Sequence, residues 1–311
     1  MLRSVVLELV ALEASRARAT HGHQAHALFM DLIRQADPAR AQQLHDLNGE
    51  KPFTVSPLLE LSRPGGHEHQ LAQGQLYTMR FTLLSDELFG PLIGRFLKPG
   101  SGAALALGAA SLGVRSIDSS TQGTGWAAAI DEAALVAGAK PSHEIRLQFA
   151  TPTAFSRGEQ PWGRSMDLLP GPTNVFDSLA RRWNGLVARP KGLEQVDRRE
   201  LSRFVAERVV VSRLEGINTR ALRFGHGLQI GFSGTVGYTV LGVRGPKADE
   251  DGLRLARTLD WLADFAFYSG VGTKTTMGMG QVRRIRPSPA LLQAIPNGCS
   301  IPEERRSESP A

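Results

Sequence analysis

The order in which hydrophobic periods succeed one another is the strongest constraint on what this chain can fold into. From Ser4 to Leu12 the run SVVLELVAL alternates apolar and polar positions as a half-buried strand does. HQAHALFMDLIRQA, His23 to Ala36, changes to a helical period and stops at Asp37-Pro38. KPFTVSPLLEL and QLYTMRFTLLS then supply two strands around the turn-rich SRPGGHEHQ. A short helix follows in SDELFGPLIGRFL, with Ser85 as its N-cap and Glu87 close to the capping-box position. AALALGAASLGVRSID returns as a strand.

The second half repeats this order. HEIRLQFATPTAF reads as a strand, NVFDSLARRWNGL as a helix, and RVVVSRLEG and LQIGFSGTVGYTVLG as two strands. DGLRLARTLDWLADFAFYS is the second helix, with Leu255, Leu259, Leu262 and Ala266 on one face, and MGQVRRI is the last strand. Two β-α-β-β-α-β units in tandem predict an α+β chain of two ferredoxin-like, RRM-like domains with a C-terminal glycine-rich loop. Residues 1–138 and 143–286 form the predicted domains, linked near Ala137 to Ser142, and residues 287–311 a polar tail.

At 311 residues the chain is long enough for two such domains. Its single cysteine, Cys299, excludes a disulfide framework and a cysteine-based zinc site, which suits a reducing cytoplasm. No run approaches about 18 apolar residues, and MLRSVVLELVAL carries an acidic residue and no small-residue cleavage site. A soluble, cytoplasmic protein with no membrane partner is expected.

The net charge of +6 is unevenly placed. Residues 1–142 hold 12 Lys and Arg against 13 Asp and Glu, leaving 24 against 17 for the remainder. Such a local basic excess suits a polyanionic partner, although a solvated arginine-rich face gives the same composition.

The stretch GVGTKTTMGMGQVRRI, Gly270 to Ile285, places bare backbone beside positive charge. A nucleotide-binding P-loop fails on spacing, because Lys274 follows Thr273 and the last glycines come after it. A dinucleotide loop fails on order, because this one leaves a helix and enters a strand.

This loop, with GFSGTVGYTVLG, FATPTAF and LHDLNGEKPFTVSPL, resembles the RAMP superfamily of CRISPR-associated RNA-binding proteins. More narrowly, the chain resembles the repeat-specific endoribonuclease that processes precursor CRISPR RNA, over nearly its whole length to about Arg286. The resemblance implies CRISPR repeat RNA as partner, cleavage without metal or cofactor, and a loop that contacts RNA through Gly272, Lys274, Gly278, Gly280 and Arg283. It also admits delivery of product to a CRISPR effector complex, and a homodimer. The alternative is a non-catalytic RAMP subunit that only binds guide RNA.

Cleavage of this class uses the substrate's own 2′-hydroxyl and leaves a 2′,3′-cyclic phosphate. It needs proton transfer near neutral pH, which suits histidine, and positive charge at the phosphorane, which suits lysine. By resemblance, His45 is the catalytic histidine and Lys51 the charge-stabilising residue. Where some relatives place a tyrosine this chain has Met30, which transfers no proton. His26 lies one helical turn earlier on the same face and is the candidate replacement, with His23 and His21 behind it. The run HGHQAH also admits a metal reading, but no tetrahedral set of known spacing emerges. On an alternating strand, Arg283 and Arg284 face opposite ways, and Trp183 and Trp261 are expected to pack.

Overall fold

The computed structural model describes residues 1–62, 68–97, 104–120, 125–224 and 227–286. The first unit contains β1 (Leu2–Ala11), β2 (Ser15–Arg18), α1 (Gly22–Ala36), α2 (Pro38–Asp46), β3 (Phe53–Val55), β4 (Glu68–Leu71), β5 (Leu76–Leu83), α3 (Phe89–Leu97), β6 (Leu105–Leu107), β7 (Ala110–Asp118), β8 (Ala128–Ile130) and α4 (Glu132–Ala137). Its sheet runs β3-β5-β1-β7-β6, with β8 also paired to β1. The four strands β7-β1-β5-β3 are thus arranged as 4-1-3-2 of a ferredoxin-like unit. Val5, Leu7 and Leu9 alternate onto the face that meets Leu28, Phe29, Leu32 and Ile33 of α1 in one core.

The second unit contains β9 (Glu144–Thr153), β10 (Phe155–Gln160), β11 (Gly163–Asp167), α5 (Pro172–Arg182), α6 (Arg189–Lys191), α7 (Arg198–Arg208), β12 (Val209–Phe224), β13 (Gly227–Val240), α8 (Glu250–Ser269) and β14 (Val282–Arg284). Its order is β12-β13-β9-β14, again 4-1-3-2 when read from β14. Ile145, Leu147 and Phe149 of β9 share a core with Phe176, Leu179, Leu259 and Leu262 from the covering helices. Trp183 and Trp261 meet within that core with ring centroids 4.6 Å apart, as packing residues.

The structure corrects several element readings. Asp37-Pro38 ends α1 but also starts α2: the Asp37 carboxylate accepts from the Arg40 N–H, and Pro38 takes the first helical position, where no N–H is needed. His45 therefore sits on the last turn of this second helix. KPFTVSPLLEL is a strand only over Phe53–Val55 and then a 3-10 turn at Leu59–Ser62. Ser85 holds the N-cap place of the 3-10 turn before α3 but makes no capping hydrogen bond with its side chain. Gly108, at φ 64°, turns AALALGAASLGVRSID into the β6–β7 hairpin. The polar tail and Cys299 lie outside the described residues.

The two units are joined by polar contacts that no sequence period announces. Arg80 of β5 is fully buried; it donates to Gln281 Oε1 at 2.8 Å, to Ser4 Oγ at 2.7 Å and to the carbonyl of Phe267. Its guanidinium also lies 4.2 Å from the Phe267 ring centroid. Burial pulls its pKa down to about 9, so it remains charged at neutral pH.

Candidate functional site

The glycine-rich loop of the second unit is folded against the first helix of the first unit. It begins where α8 ends at Gly270, at φ 65°, and most of its N–H groups are bonded inside the protein: Val271 to the Gly280 carbonyl, Gly272 to Ser178 Oγ, Thr273 to the Ala154 carbonyl, Gly280 to the Pro152 carbonyl and Gln281 to Thr151 Oγ1. The glycines permit this tight path. A Cβ on Gly272 would stand 2.4 Å from the Ala154 carbonyl oxygen, and one on Gly280 2.1 Å from that of Val271. Gly278 abuts Pro57, and Gly22 at the start of α1 lies directly under the Met277 carbonyl.

This packing brings His26 to the loop. Its Nδ1 lies 3.0 Å from the Thr276 carbonyl oxygen, and its ring stacks on Phe53 with centroids 5.8 Å apart. A carbonyl only accepts, so Nδ1 carries the hydrogen and the lone pair belongs to Nε2. Partial burial holds the imidazole below its ordinary pKa; the Thr276 bond opposes this, and the positive charges of Lys51, His23 and His45 add to the lowering. His26, His45 and Lys51, three separate sequence candidates, therefore share one electrostatic neighbourhood. Met30, one turn further along α1, packs against the core of the first unit.

Lys51 has a local task as well. Its ammonium donates to the carbonyls of Leu44, His45 and Leu47 and so closes the C-terminal end of α2, the turn that carries His45. Burial lowers its pKa, with Asp46 opposing. Next to it, Glu50 pairs with Arg181 at 3.0 Å and Arg182 at 3.3 Å, and Arg182 donates to the carbonyls of Ser269 and Gly272. The segment bearing His45 and Lys51 is thereby tied to the glycine loop through α5. Glu50 and Arg182 were not singled out by sequence, since only the fold makes them neighbours.

Lys274 adopts a left-handed backbone, φ 54°, and is the one non-glycine residue to do so among the described residues. Its Nζ lies 4.6 Å from the centroid of the Phe224 ring, whose edge also meets exposed His23 at 5.6 Å. Beyond Phe224 a cleft of about 820 Å³ opens between the units, lined by Arg18, His23, Arg220 and Arg223. Arg283 and Arg284 do point to opposite faces. Arg284 turns to the helices and pairs with Asp260 at 2.6 Å, whereas Arg283 donates to Gln148 Oε1 and lies 5.0 Å from the Trp126 ring centroid. Arg283 thus lies in a different groove from Lys274, beside Phe267 and Tyr268.

The HGHQAH run does not converge. His21 is buried, with Nε2 accepting from the Leu58 N–H at 2.8 Å and Nδ1 donating to the Arg18 carbonyl, while His23 and His26 turn to Phe224 and Thr276. Among the described residues no group of three or more His, Cys, Asp or Glu is placed to hold a metal, and no helix is long and apolar enough to cross a membrane.

Comparison with known proteins gives two family matches. The model of CRISPR-associated endoribonuclease Cas6 matches residues 147–282, and that of the CRISPR Cas6 N-terminal domain matches residues 1–137. Among solved structures, a product complex of Cas6 (TTHB231), a Thermus thermophilus protein, is 26% identical, with a TM-score of 0.73 over 92% of this chain and 100% of that one. A product complex of Cas6 (TTHA0078) is 27% identical, with a TM-score of 0.66 over 92% and 99%, and that protein has also been solved as a histidine-to-alanine mutant. A Cas6-related protein from Pyrococcus furiosus, 12% identical with a TM-score of 0.60, shares the fold. No curated protein matches the sequence significantly.

Proposed function

The chain belongs to the CRISPR-associated Cas6 endoribonuclease family, and from that premise we propose that it cuts CRISPR repeat RNA in the precursor transcript by a metal-independent attack of the substrate's 2′-hydroxyl, using His26 and His45 for proton transfer. The observation that carries this is the fixed orientation of His26: with Nδ1–H held by Thr276, Nε2 presents a lone pair, and the lowered pKa keeps the ring neutral near pH 7. His26 takes the 2′-hydroxyl proton, and exposed His45 gives a proton to the departing 5′-oxygen. The products are a 2′,3′-cyclic phosphate and a 5′-hydroxyl. Lys51 adds positive charge beside the phosphorane and fixes the turn bearing His45.

RNA binding falls to Lys274 on the catalytic side and Arg283 with Trp126 on the far groove, where a guanidinium and an indole suit phosphate and unpaired base respectively. Gly272, Gly278 and Gly280 shape the loop that the RNA meets and hold its Thr276 carbonyl against His26. The 16-residue strand β12 is a sheet edge with Val210, Val211 and Leu214 exposed, compatible with a homodimer or with docking into a CRISPR effector complex.

The test is incubation of the full chain with the repeat RNA of its own CRISPR array in EDTA. Cleavage to a 2′,3′-cyclic end is expected, lost in His45→Ala and with a 2′-deoxy nucleotide at the cut. An inert wild-type protein in EDTA sinks the metal-independent reaction, and a fully active His45→Ala removes that residue from it.

A further inference from the structure

The short connection from α2 to β3 touches both catalytic histidines, and its two ends are held very differently. At its far end Phe53 is fully buried and paired into β5, and its ring meets those of His26 and Phe29, with centroids 5.8 and 4.3 Å away. The Pro52 carbonyl accepts from the Leu84 N–H at 2.9 Å. His26 has its own tether in the Thr276 carbonyl. At the near end, His45 to Gly49 are all exposed, and Lys51 gathers the carbonyls of Leu44, His45 and Leu47 into one turn. The base side is therefore fixed by a core, whereas the turn bearing His45 depends on what anchors it from outside.

Glu50 is that anchor. Its Oε1 lies 3.0 Å from Arg181 and 3.3 Å from Arg182 yet makes no hydrogen bond to either, so charge holds it there. Arg182 is the firmer partner. It is 4% exposed, donates to the carbonyls of Ser269 and Gly272, and has Glu50 as its one paired carboxylate among the described residues. One turn earlier on α5, buried Ser178 accepts from the Gly272 N–H at 3.1 Å. Both backbone polar groups of Gly272 are thus gripped by α5, at the start of the loop whose Thr276 carbonyl orients His26. Arg182 is a common reference point for the two histidines, and Glu50 is the link to it on the His45 side.

We propose, resting on the reading of His45 as the proton donor, that Glu50 is a positioning residue: its ion pair with Arg182 sets where the His45 turn stands against the loop-bound His26. Loss of that charge impairs proton delivery to the departing 5′-oxygen more than attack by the 2′-hydroxyl. Glu50→Gln keeps the size of the side chain and removes the charge.

The test uses the full-length protein in EDTA and its own repeat RNA, carrying either the natural 5′-oxygen or a bridging 5′-sulfur at the cut. A thiolate departs without a proton, so the sulfur substrate bypasses the donor. The ratio of single-turnover rates on the two substrates, taken in one preparation, is independent of the fraction folded. His45→Ala sets the scale, slow on oxygen and restored on sulfur. Glu50→Gln is expected to slow the oxygen substrate by about 10–100-fold while the sulfur substrate stays near the wild-type rate. Glu50→Asp, which keeps the charge, should recover most of the oxygen rate. Equal losses on both substrates, or no loss on either, overturn the role of Glu50 and leave His45 in place. Failure of sulfur to restore His45→Ala removes His45 as the donor, and the role of Glu50 with it.

Discussion

His26 Nδ1 and the Thr276 carbonyl oxygen, 250 residues apart in sequence, lie 3.0 Å from each other and join the first helix of one unit to the glycine loop of the other. The bond decides which nitrogen is basic, and burial with nearby Lys51 decides when. A base must be unprotonated, so cleavage should fall on the acid side with a midpoint below about 6.5, the ordinary histidine value. Lys51→Met removes a positive charge that lowers the His26 pKa, so its acid limb should move to higher pH while its rate falls. Single-turnover rates from pH 4.5 to 8 check both. An unshifted limb in Lys51→Met means that the charge of Lys51 does not reach His26.

Lys274 and Arg283 lie in different grooves, so their contributions to RNA binding should be separable. Each alanine substitution should lower the slope of log affinity against log salt by about 0.7, the value for one phosphate contact on a single strand. Lys274→Gly gives a cleaner test of the loop: it relieves the left-handed strain and loses the contact with Phe224, so stability should stay within about 1 kcal/mol while affinity falls. Filter binding across salt concentrations, with thermal melts, separates the two effects.

Much of this arrangement is legible in the sequence, and what is missing has a common cause. The order of strands and helices follows from residues that bury against their own unit, so Val5, Leu7 and Leu9 announce β1 by alternation, and Leu255, Leu259 and Leu262 announce α8 by helical period. His26 could be picked out because its alternative neighbour, Met30, shares its helix face. Arg80 could not, since its partner Gln281 is 201 residues away and an arginine in a strand reads as exposed. The Glu50–Arg182 pair fails for the same reason. Short polar ribbons such as β2–β4, four residues a side, bury too little apolar surface to leave a period.

Gly22 has ordinary helical neighbours in sequence but no room. A Cβ there would stand 1.9 Å from the Met277 carbonyl oxygen, backbone against backbone, so the loop must retreat from α1. Gly22→Ala should therefore cost on the order of 1–3 kcal/mol, as overpacking does, and should also weaken the His26–Thr276 bond and with it the cleavage rate. Gly185→Ala is the control, because nothing lies within 4 Å of its Cβ position; it should leave the cleavage rate unchanged and stability equal or higher. Equal cleavage by the two variants at matched folded fraction would sever the loop position from the chemistry.

His21 should dominate the acid sensitivity of the fold. It is 1% exposed and bonded on both ring nitrogens, Nε2 to the Leu58 N–H and Nδ1 to the Arg18 carbonyl, so there is no place for a second proton. Burial pulls its pKa down to about 4 from the usual 6.5, the Arg18 bond opposing. The unfolded chain then binds more protons than the folded one between these values, and stability falls as pH drops through them. The stabilisation is whole above pH 6.5 and is lost progressively down to about pH 4, a change on the order of 3 kcal/mol for a shift of this size. Urea melts of wild type and His21→Gln at pH 7 and pH 4.5 read the difference directly. His21→Gln should begin less stable at pH 7, since it loses the bonds to Leu58 and Arg18, and should show a shallower decline toward pH 4.5. Parallel declines in the two proteins would place the acid-sensitive group elsewhere.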